Sequence, residues 1–186
     1  MRIISGKFKN RKLIQPLDKQ TRPLKDITKE SIFNVLIHSK FFENKIDNLK
    51  VLDLFSGTGS FGLECVSRGA SKVVFCENYS SAIKILNQNI NKLDCSKNVE
   101  VFQENTFEFL KKRKFSFLFD IIFLDPPFNE KNIEELLKNL NKSKLLNKNG
   151  LIVLHRNKKS NDIFPNNFKL INEKFYGLSK INFLTF

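Results

Sequence analysis

The 186-residue chain has no tryptophan, only two histidines and three cysteines, and no apolar run near the roughly 20 residues that a membrane-spanning helix requires. A bilayer-spanning class is therefore not expected. Cys65, Cys76 and Cys95 show no CxxC spacing and no neighbouring histidine cluster, which argues against a metal site or a disulfide framework. Unpaired thiols suit a reducing cytoplasm. The opening Met1–Lys7 has no apolar h-region and no cleavage site, so no secretion signal is expected. Acidic residues are scarce too: 19 Asp and Glu face 32 Lys and Arg, a formal net charge of +13.

Excess positive charge suits a polyanionic partner, because Lys and Arg neutralise phosphates and release condensed counterions. A composition rich in Lys, Asn, Ile and Phe would raise the total for a duller reason, as in AT-rich coding. The distribution is more informative. Residues 1–25 hold Arg2, Lys7, Lys9, Arg11, Lys12, Lys19, Arg22 and Lys25 against Asp18 alone, a local charge of +7. That is a basic arm.

Residues 2–5 and 11–15 read as two short strands of a hairpin around Gly6. From Lys25 to Ser39, apolar Ile27, Ile32, Val35 and Leu36 recur at helical spacing, with Phe33 and Ile37 beside them. Strands are then expected at Lys50–Phe55, Lys72–Cys76, Val99–Gln103, Phe119–Leu124 and Leu151–His155. Helices are expected between them, near 60–68, 80–93, 106–112 and 130–145. Such alternation makes an α/β fold, a Rossmann-like doubly wound sheet, mostly parallel. The tail, Phe168–Phe175 and Leu178–Phe186 around Gly177, reads as a closing antiparallel hairpin.

The first of these strands runs into Asp53-Leu-Phe-Ser-Gly57-Thr-Gly59-Ser-Phe-Gly62, a GxGxxG at a strand-to-helix turn, where missing Cβ atoms let a ligand approach the backbone. Glu77, twenty residues after Gly57, ends the next strand and can accept bonds from ribose hydroxyls. That much would also serve NAD. Asp53 tilts the choice, because a carboxylate at the mouth of the loop repels a pyrophosphate but suits a sulfonium and an ammonium group. S-adenosylmethionine carries both. Asp53, Phe55, Gly57, Thr58, Gly59, Glu77 and Asn78 form the candidate cofactor set, with Asn105, after the third strand, as a reader of the adenine amine.

After the apolar run Ile121–Leu124 comes Asp125-Pro126-Pro127-Phe128. The prolines remove two backbone donors and stiffen the chain. The Asp125 carboxylate and the Pro126 carbonyl then become acceptors that can hold an exocyclic amine, and Phe128 offers a flat face for an unstacked base. No residue reads as a strong general base, and water can take the proton.

With both motifs in place, the chain resembles class I S-adenosylmethionine methyltransferases, and its tetrad matches the amino-methylating [DNS]PP[YF] group. Three further stretches are similar to the RsmD family, which methylates a guanine N2 of bacterial 16S ribosomal RNA. They are Arg2-Ile-Ile-Ser-Gly-Lys through Arg11-Lys-Leu, Thr21-Arg-Pro through Glu30-Ser-Ile-Phe-Asn34, and Asp53 through Gly69-Ala70. The resemblance implies a methyltransferase domain at 46–186 and an extension at 1–45 whose Lys7, Lys9, Arg11, Lys12 and Arg22 hold RNA. It implies Asp125, Pro126, Pro127 and Phe128 as the catalytic tetrad and a 16S rRNA or assembling small-subunit partner, while the cysteine spacing and the short apolar runs already point to no metal and no membrane. Nothing requires more than a monomer. Leu24-Lys25 replaces the family's usual Thr-Thr, and His155 stands where an acidic residue is often found; His155 reads as structural.

Three rivals are weighed. A DNA adenine-N6 methyltransferase would share the tetrad but usually needs a separate recognition region. An NAD-dependent oxidoreductase would leave the tetrad unexplained. A non-catalytic RNA-binding protein on the same scaffold would tolerate a degraded loop or tetrad, and both are intact here.

Overall fold

Alternate residues of the central strands serve opposite faces of one sheet, and that period of two organises the molecule. The computed structural model describes residues 1–16, 24–42 and 46–186. In chain order the elements are α1 (Asp26–His38), β1 (Lys50–Leu54), α2 (Ser60–Ser67), β2 (Lys72–Glu77), α3 (Ser80–Leu93), a 3₁₀ turn (Ser96–Asn98), β3 (Val99–Gln103), α4 (Thr106–Lys112), β4 (Phe119–Leu124), α5 (Ile133–Ser143), β5 (Leu146–Asn157), β6 (Lys169–Tyr176) and β7 (Ser179–Thr185). The seven strands lie in the order β3-β2-β1-β4-β5-β7-β6. The first five are parallel, while β7 runs antiparallel to both β5 and β6. The expected fold class is what the chain adopts. Strand order turns outward in both directions from β1 and β4, so a crevice opens at the carboxyl ends of those two strands.

Val51, Val73, Phe75, Ile121, Phe123, Val153 and Phe183 build the core on one face, beneath α1, α2 and α3. Leu52, Leu54, Val74, Cys76, Ile122, Leu124, Ile152 and Leu154 build the other, beneath α4 and α5. Burying one such side chain contributes about 1.5–3 kcal/mol. Phenylalanine fills both layers. Phe33, Phe61 and Phe123 stack from α1 through α2 to β4, with centroid spacings of 5.1 and 4.0 Å. Phe102, Phe109, Phe115, Phe117 and Phe119 meet mostly edge-on across the opposite layer.

Two local expectations are corrected. The N-terminal segment forms no regular hairpin ladder: Arg2 and Lys12 make an isolated bridge, and residues 5–10 are bends and turns. The reason lies in where its amides go. Those of Ile4 and Ser5 donate to the Glu64 carboxylate of α2 (2.7 and 3.0 Å), and those of Lys7 and Phe8 go to the carbonyl and hydroxyl of Ser67. The two limbs still pair, through the amides of Ile3, Asn10 and Leu13 on the carbonyls of Arg11, Ile3 and Met1, but the segment between them lies on α2. In α1, the face turned inward is Lys29, Ile32, Phe33 and Leu36, whereas Ile27 and Ile37 are 68% and 48% exposed. The stripe at i, i+3, i+4, i+7 runs through a lysine that its polarity disguised.

That Lys29 is fully buried, and its ammonium donates to the Arg2 carbonyl and the Ser60 hydroxyl beside Glu64 at 3.7 Å. Burial lowers its pKa, while Glu64 and Asp26 pull the other way. It ties the N-terminal segment, α1 and α2 together. Ile3, Phe8 and Leu13 also join the α1–α2 side of the core. The division placed at 45/46 falls against residues 43–45, which lie outside the described residues.

Candidate active site

The glycine loop is shaped by its own backbone. Phe55, Gly57 and Gly59 all have positive φ (58°, 54° and 81°), so the chain leaves β1 through a left-handed turn and enters α2 at Ser60. A Cβ at Gly59 would stand 2.3 Å from Leu86, and one at Gly62 would stand 2.3 Å from the Phe75 ring. The last glycine therefore lets α2 lie close on β2.

Two carboxylates brace this loop. Asp53 is 1% exposed and accepts a bond from the Gly62 amide in the first turn of α2 (2.9 Å). Burial pushes its carboxyl well above the usual carboxylate range; the Gly62 amide opposes that, and the charges of Asp125 and Glu77 add to it. Glu77 accepts from the Gly57 amide at 2.8 Å and from the Asn78 and Tyr79 amides at 2.8 and 2.9 Å. Those three bonds use most of the roughly four acceptor positions of a carboxylate, leaving about one for a ligand hydroxyl.

Beside the loop, β4 ends in the tetrad. Asp125 is held by its amide on the Leu54 carbonyl (3.3 Å) and by its carboxylate on His155 Nδ1 (2.9 Å). Arg156, 3% exposed, donates to the Pro127 carbonyl at 2.9 Å and the Glu130 carbonyl at 2.7 Å, with Asp162 as its ion-pair partner. Phe128 is half-buried and meets His155 edge-on, ring centroids 5.5 Å apart.

Between loop and tetrad lies a cavity of about 320 Å³. Its walls bring together the predicted Asp53, Phe55, Gly57, Thr58, Glu77, Asn78, Asp125, Pro126 and Pro127, separated in sequence by up to 74 residues (Asp53 to Pro127). Three carboxylates on one cavity suit a ligand with cationic groups and oppose a pyrophosphate. The Ser56 hydroxyl, also on the wall, is buried without a hydrogen-bond partner among the described residues, a polar atom placed to meet a ligand. These features fit S-adenosylmethionine better than NAD.

Gly59 is absent from the wall and shapes the loop instead. Phe128 also lies off the wall. Asn105 is exposed at the N-terminus of α4, where its side-chain oxygen accepts from the Phe107 and Glu108 amides, and it too is off the wall. Its oxygen thus serves as a helix cap. Lys7, Lys9, Arg11 and Lys12 are all exposed, with Lys7 and Arg11 over the Phe8 ring. Arg22 lies outside the described residues.

Tyr79, Phe61, Phe123, Ser56, Ser60 and Leu24 line the cavity without having been singled out for it. Phe123 had a readable signal, since it lies two residues before Asp125 on the same strand face. His155 and Arg156 had none, because their contacts span 26–30 residues. All three thiols are buried with raised pKa values, Cys76 pushed up to about 12, so none offers a thiolate.

A family model described as "Conserved hypothetical protein 95" matches residues 1–185. Ribosomal RNA small subunit methyltransferase D of Haemophilus influenzae is 35% identical over 179 residues, covering 96% of this chain and 90% of its own length. The protein of the same name from Buchnera aphidicola subsp. Baizongia pistaciae is 36% identical over 176 residues, covering 94% and 86%. The solved structure of yhhF from Escherichia coli, described provisionally as a methyltransferase, superposes with a TM-score of 0.83 at 29% identity, over 99% of this chain and 96% of that one.

Proposed function

The chain belongs to the Conserved hypothetical protein 95 family, alongside the ribosomal RNA small subunit methyltransferases D, and we propose that it methylates the exocyclic N2 amine of a guanine in small-subunit ribosomal RNA. It is an S-adenosylmethionine-dependent rRNA methyltransferase. The observation that carries the choice of an amine is Asp125-Pro126-Pro127 on the wall of a three-carboxylate cavity.

S-adenosylmethionine supplies an electrophilic methyl group on a cationic sulfur. The chain's own residues do the rest. Asp53 and Glu77 set the glycine loop, the carboxylates of Glu77 and Asp125 favour a cation, and a bound cation would in turn favour ionisation of the buried Asp53. The lone pair of a guanine N2 is delocalised into the ring, so the amine is a weak nucleophile. Accepting its two N–H bonds at the Asp125 carboxylate and the Pro126 carbonyl draws that nitrogen out of conjugation and fixes its direction. Phe128, the last residue of the tetrad, supplies a ring for a base drawn out of its stack, worth about 1–3 kcal/mol. The proton leaves to water.

Lys7, Lys9, Arg11 and Lys12 hold the RNA backbone in this reading, with Arg22 alongside, and residues 1–45 act as the RNA-facing extension of the 46–186 methyltransferase domain. Among the described residues no helix is long and apolar enough to cross a membrane. A ribosomal RNA partner puts the protein's work in the cytoplasm, as a monomer on the assembling small subunit or its RNA.

The test is transfer of radiolabel from S-adenosylmethionine to unmodified small ribosomal subunits, free ribosomal RNA and genomic DNA, followed by nucleoside analysis. N2-methylguanosine from a ribosomal acceptor, with DNA unlabelled, is expected. Label in DNA as N6-methyladenine would keep the chemistry and overturn the substrate; no label in any acceptor would overturn the activity.

A further inference from the structure

We infer that His155 is a positioning residue for the Asp125 carboxylate, acting in the one tautomer that Asp125 selects and Ser179 holds. The inference rests on the proposed role of Asp125 as the amine acceptor. Two ring contacts define it: Nδ1 lies 2.9 Å from Asp125 Oδ1, and Nε2 lies 2.8 Å from the Ser179 hydroxyl. His155 and Ser179 are 3% and 8% exposed, so water competes little for either contact.

An ionised carboxylate has only acceptors, so the bond to Asp125 requires the proton on Nδ1. Nε2 then presents a lone pair, and the Ser179 hydroxyl is the donor placed to meet it. The Ser179 hydroxyl could equally accept, so it is the Asp125 contact that selects the tautomer and the Ser179 bond that then holds the ring in it. The imidazole is thereby held in one orientation, as the bond to one ring nitrogen commonly fixes how a histidine presents the other.

Serine, histidine and aspartate in this order also make a hydrolytic triad when the hydroxyl opens onto a cavity. Here the polarity is reversed. Asp125 is on the cavity wall, and Ser179, at the start of β7, is not. The working end is the carboxylate.

The neighbouring residue strengthens the case. Arg156 follows His155 on β5 and grips the carbonyls of Pro127 and Glu130. Adjacent residues of one strand thus hold the tetrad at Asp125 and again at Pro127. The Pro126 carbonyl lies between two held points, in a chain whose φ angles are locked by proline rings. Both proposed amine acceptors take their aim from β5.

The experiment measures methyl transfer, S-adenosylhomocysteine affinity and melting temperature for the full chain and three variants. In His155→Phe, turnover should fall about 100-fold, the usual consequence of misplacing a reacting group by about 1 Å. S-adenosylhomocysteine affinity should stay within about twofold, the split expected when ground-state cofactor binding is untouched. His155→Asn keeps an amide N–H at the position of Nδ1 and should recover turnover to within about tenfold of the parent chain, whereas His155→Gln, whose amide sits at the other ring position, should not. That Asn–Gln contrast serves even where the Phe variant fails to fold.

A second readout needs no substrate. With histidine-selective ¹⁵N labelling, the two histidines are distinguished through His38→Gln, and His155 should show a protonated Nδ1 and a bare Nε2. The opposite tautomer, a Phe variant as fast as the parent chain, or an Asn variant as slow as the Gln variant would each overturn the inference. Failure of the parent chain to methylate any acceptor would instead overturn the proposed function, and with it the role of Asp125.

Discussion

The two walls of the cavity are built by different means. The glycine wall closes largely on itself: Asp53 bonds the Gly62 amide nine residues on, Gly59 returns to the Ser56 carbonyl, and the turn is made by three alternate positive-φ positions at 55, 57 and 59. The tetrad wall does not. Its Asp125 and Pro127 are held by His155 and Arg156, about 30 residues later, and His155 is in turn held by Ser179 on β7. A loop that must cradle a ligand with its backbone can be specified by missing side chains. A carboxylate that must point in one direction needs a partner from another strand, because its own short stem has rotational freedom.

Four substitutions break or sharpen that contrast. Asp125→Ala removes one amine acceptor and should lower turnover about 1000-fold, about 4 kcal/mol of transition-state stabilisation, while S-adenosylhomocysteine still binds. Single-turnover assay beside calorimetric titration separates the two walls, and unchanged turnover would refute the role of Asp125.

Gly62→Val attacks the other wall. Its Cβ would start 2.3 Å from the buried Phe75 ring, so α2 must lift from β2, at a cost of about 3 kcal/mol. Chemical denaturation should show that loss together with weakened cofactor binding. Equal stability to the parent chain would mean that the helix does not depend on this close approach.

Asp53→Asn keeps an oxygen for the Gly62 amide but removes the buried charge. The folded-state pKa of Asp53 is raised, so the folded protein binds more protons than the unfolded chain once the pH exceeds the unfolded carboxyl value of about 3.9. The wild-type carboxyl therefore destabilises the ligand-free protein increasingly as pH rises from there. The Asn variant should melt higher at neutral pH, by about 1–2 kcal/mol of stability, and the gain should vanish towards pH 4. Its affinity for the cationic cofactor should drop about tenfold, since one of three carboxylates is lost. A melting temperature below the parent's across the whole range would contradict this.

Changing Lys7, Lys9, Arg11 and Lys12 to Glu should leave both walls alone, with S-adenosylhomocysteine affinity unaltered. All four side chains are exposed on the arm. RNA binding should weaken, and the slope of its logarithm against log salt should flatten by about 3, roughly 0.7 per lost phosphate contact on single strands. An unaltered slope would remove the arm from the RNA interface.

The contrast between walls also explains what could be read in advance. The glycine loop, Glu77 and the tetrad are contiguous motifs, and each reaches the cavity. Glu77, however, is mostly engaged with its own loop's amides, an allegiance that spacing does not reveal. Asn105 has the polarity of a ligand reader, yet the orphan amides of α4 claim its oxygen. Ile27 looks like core and is solvent-facing, while Lys29 looks like surface and is buried, because ion pairing and hydrogen bonds can offset its desolvation. The two N-terminal limbs pair at Arg2 and Lys12 as the hairpin reading expected, but the amides of Ile4, Ser5 and Phe8 are taken by α2 side chains that local sequence does not reveal.

From sequence alone, the alternation of strand and helix determined the doubly wound sheet, and the missing side chains at Gly57, Gly59 and Gly62 determined the turn from β1 into α2 that forms one wall of the cavity. Those properties depend on periodicity and on local backbone freedom, which neighbouring residues carry. Only the tertiary structure decided that Asp53 would be buried, that Lys29 would face inward, and that His155, Arg156 and Ser179 would hold the tetrad. Burial and hydrogen-bond partnership depend on what the crossovers bring alongside, and β5 and β7 reach Asp125 only when the whole sheet has formed.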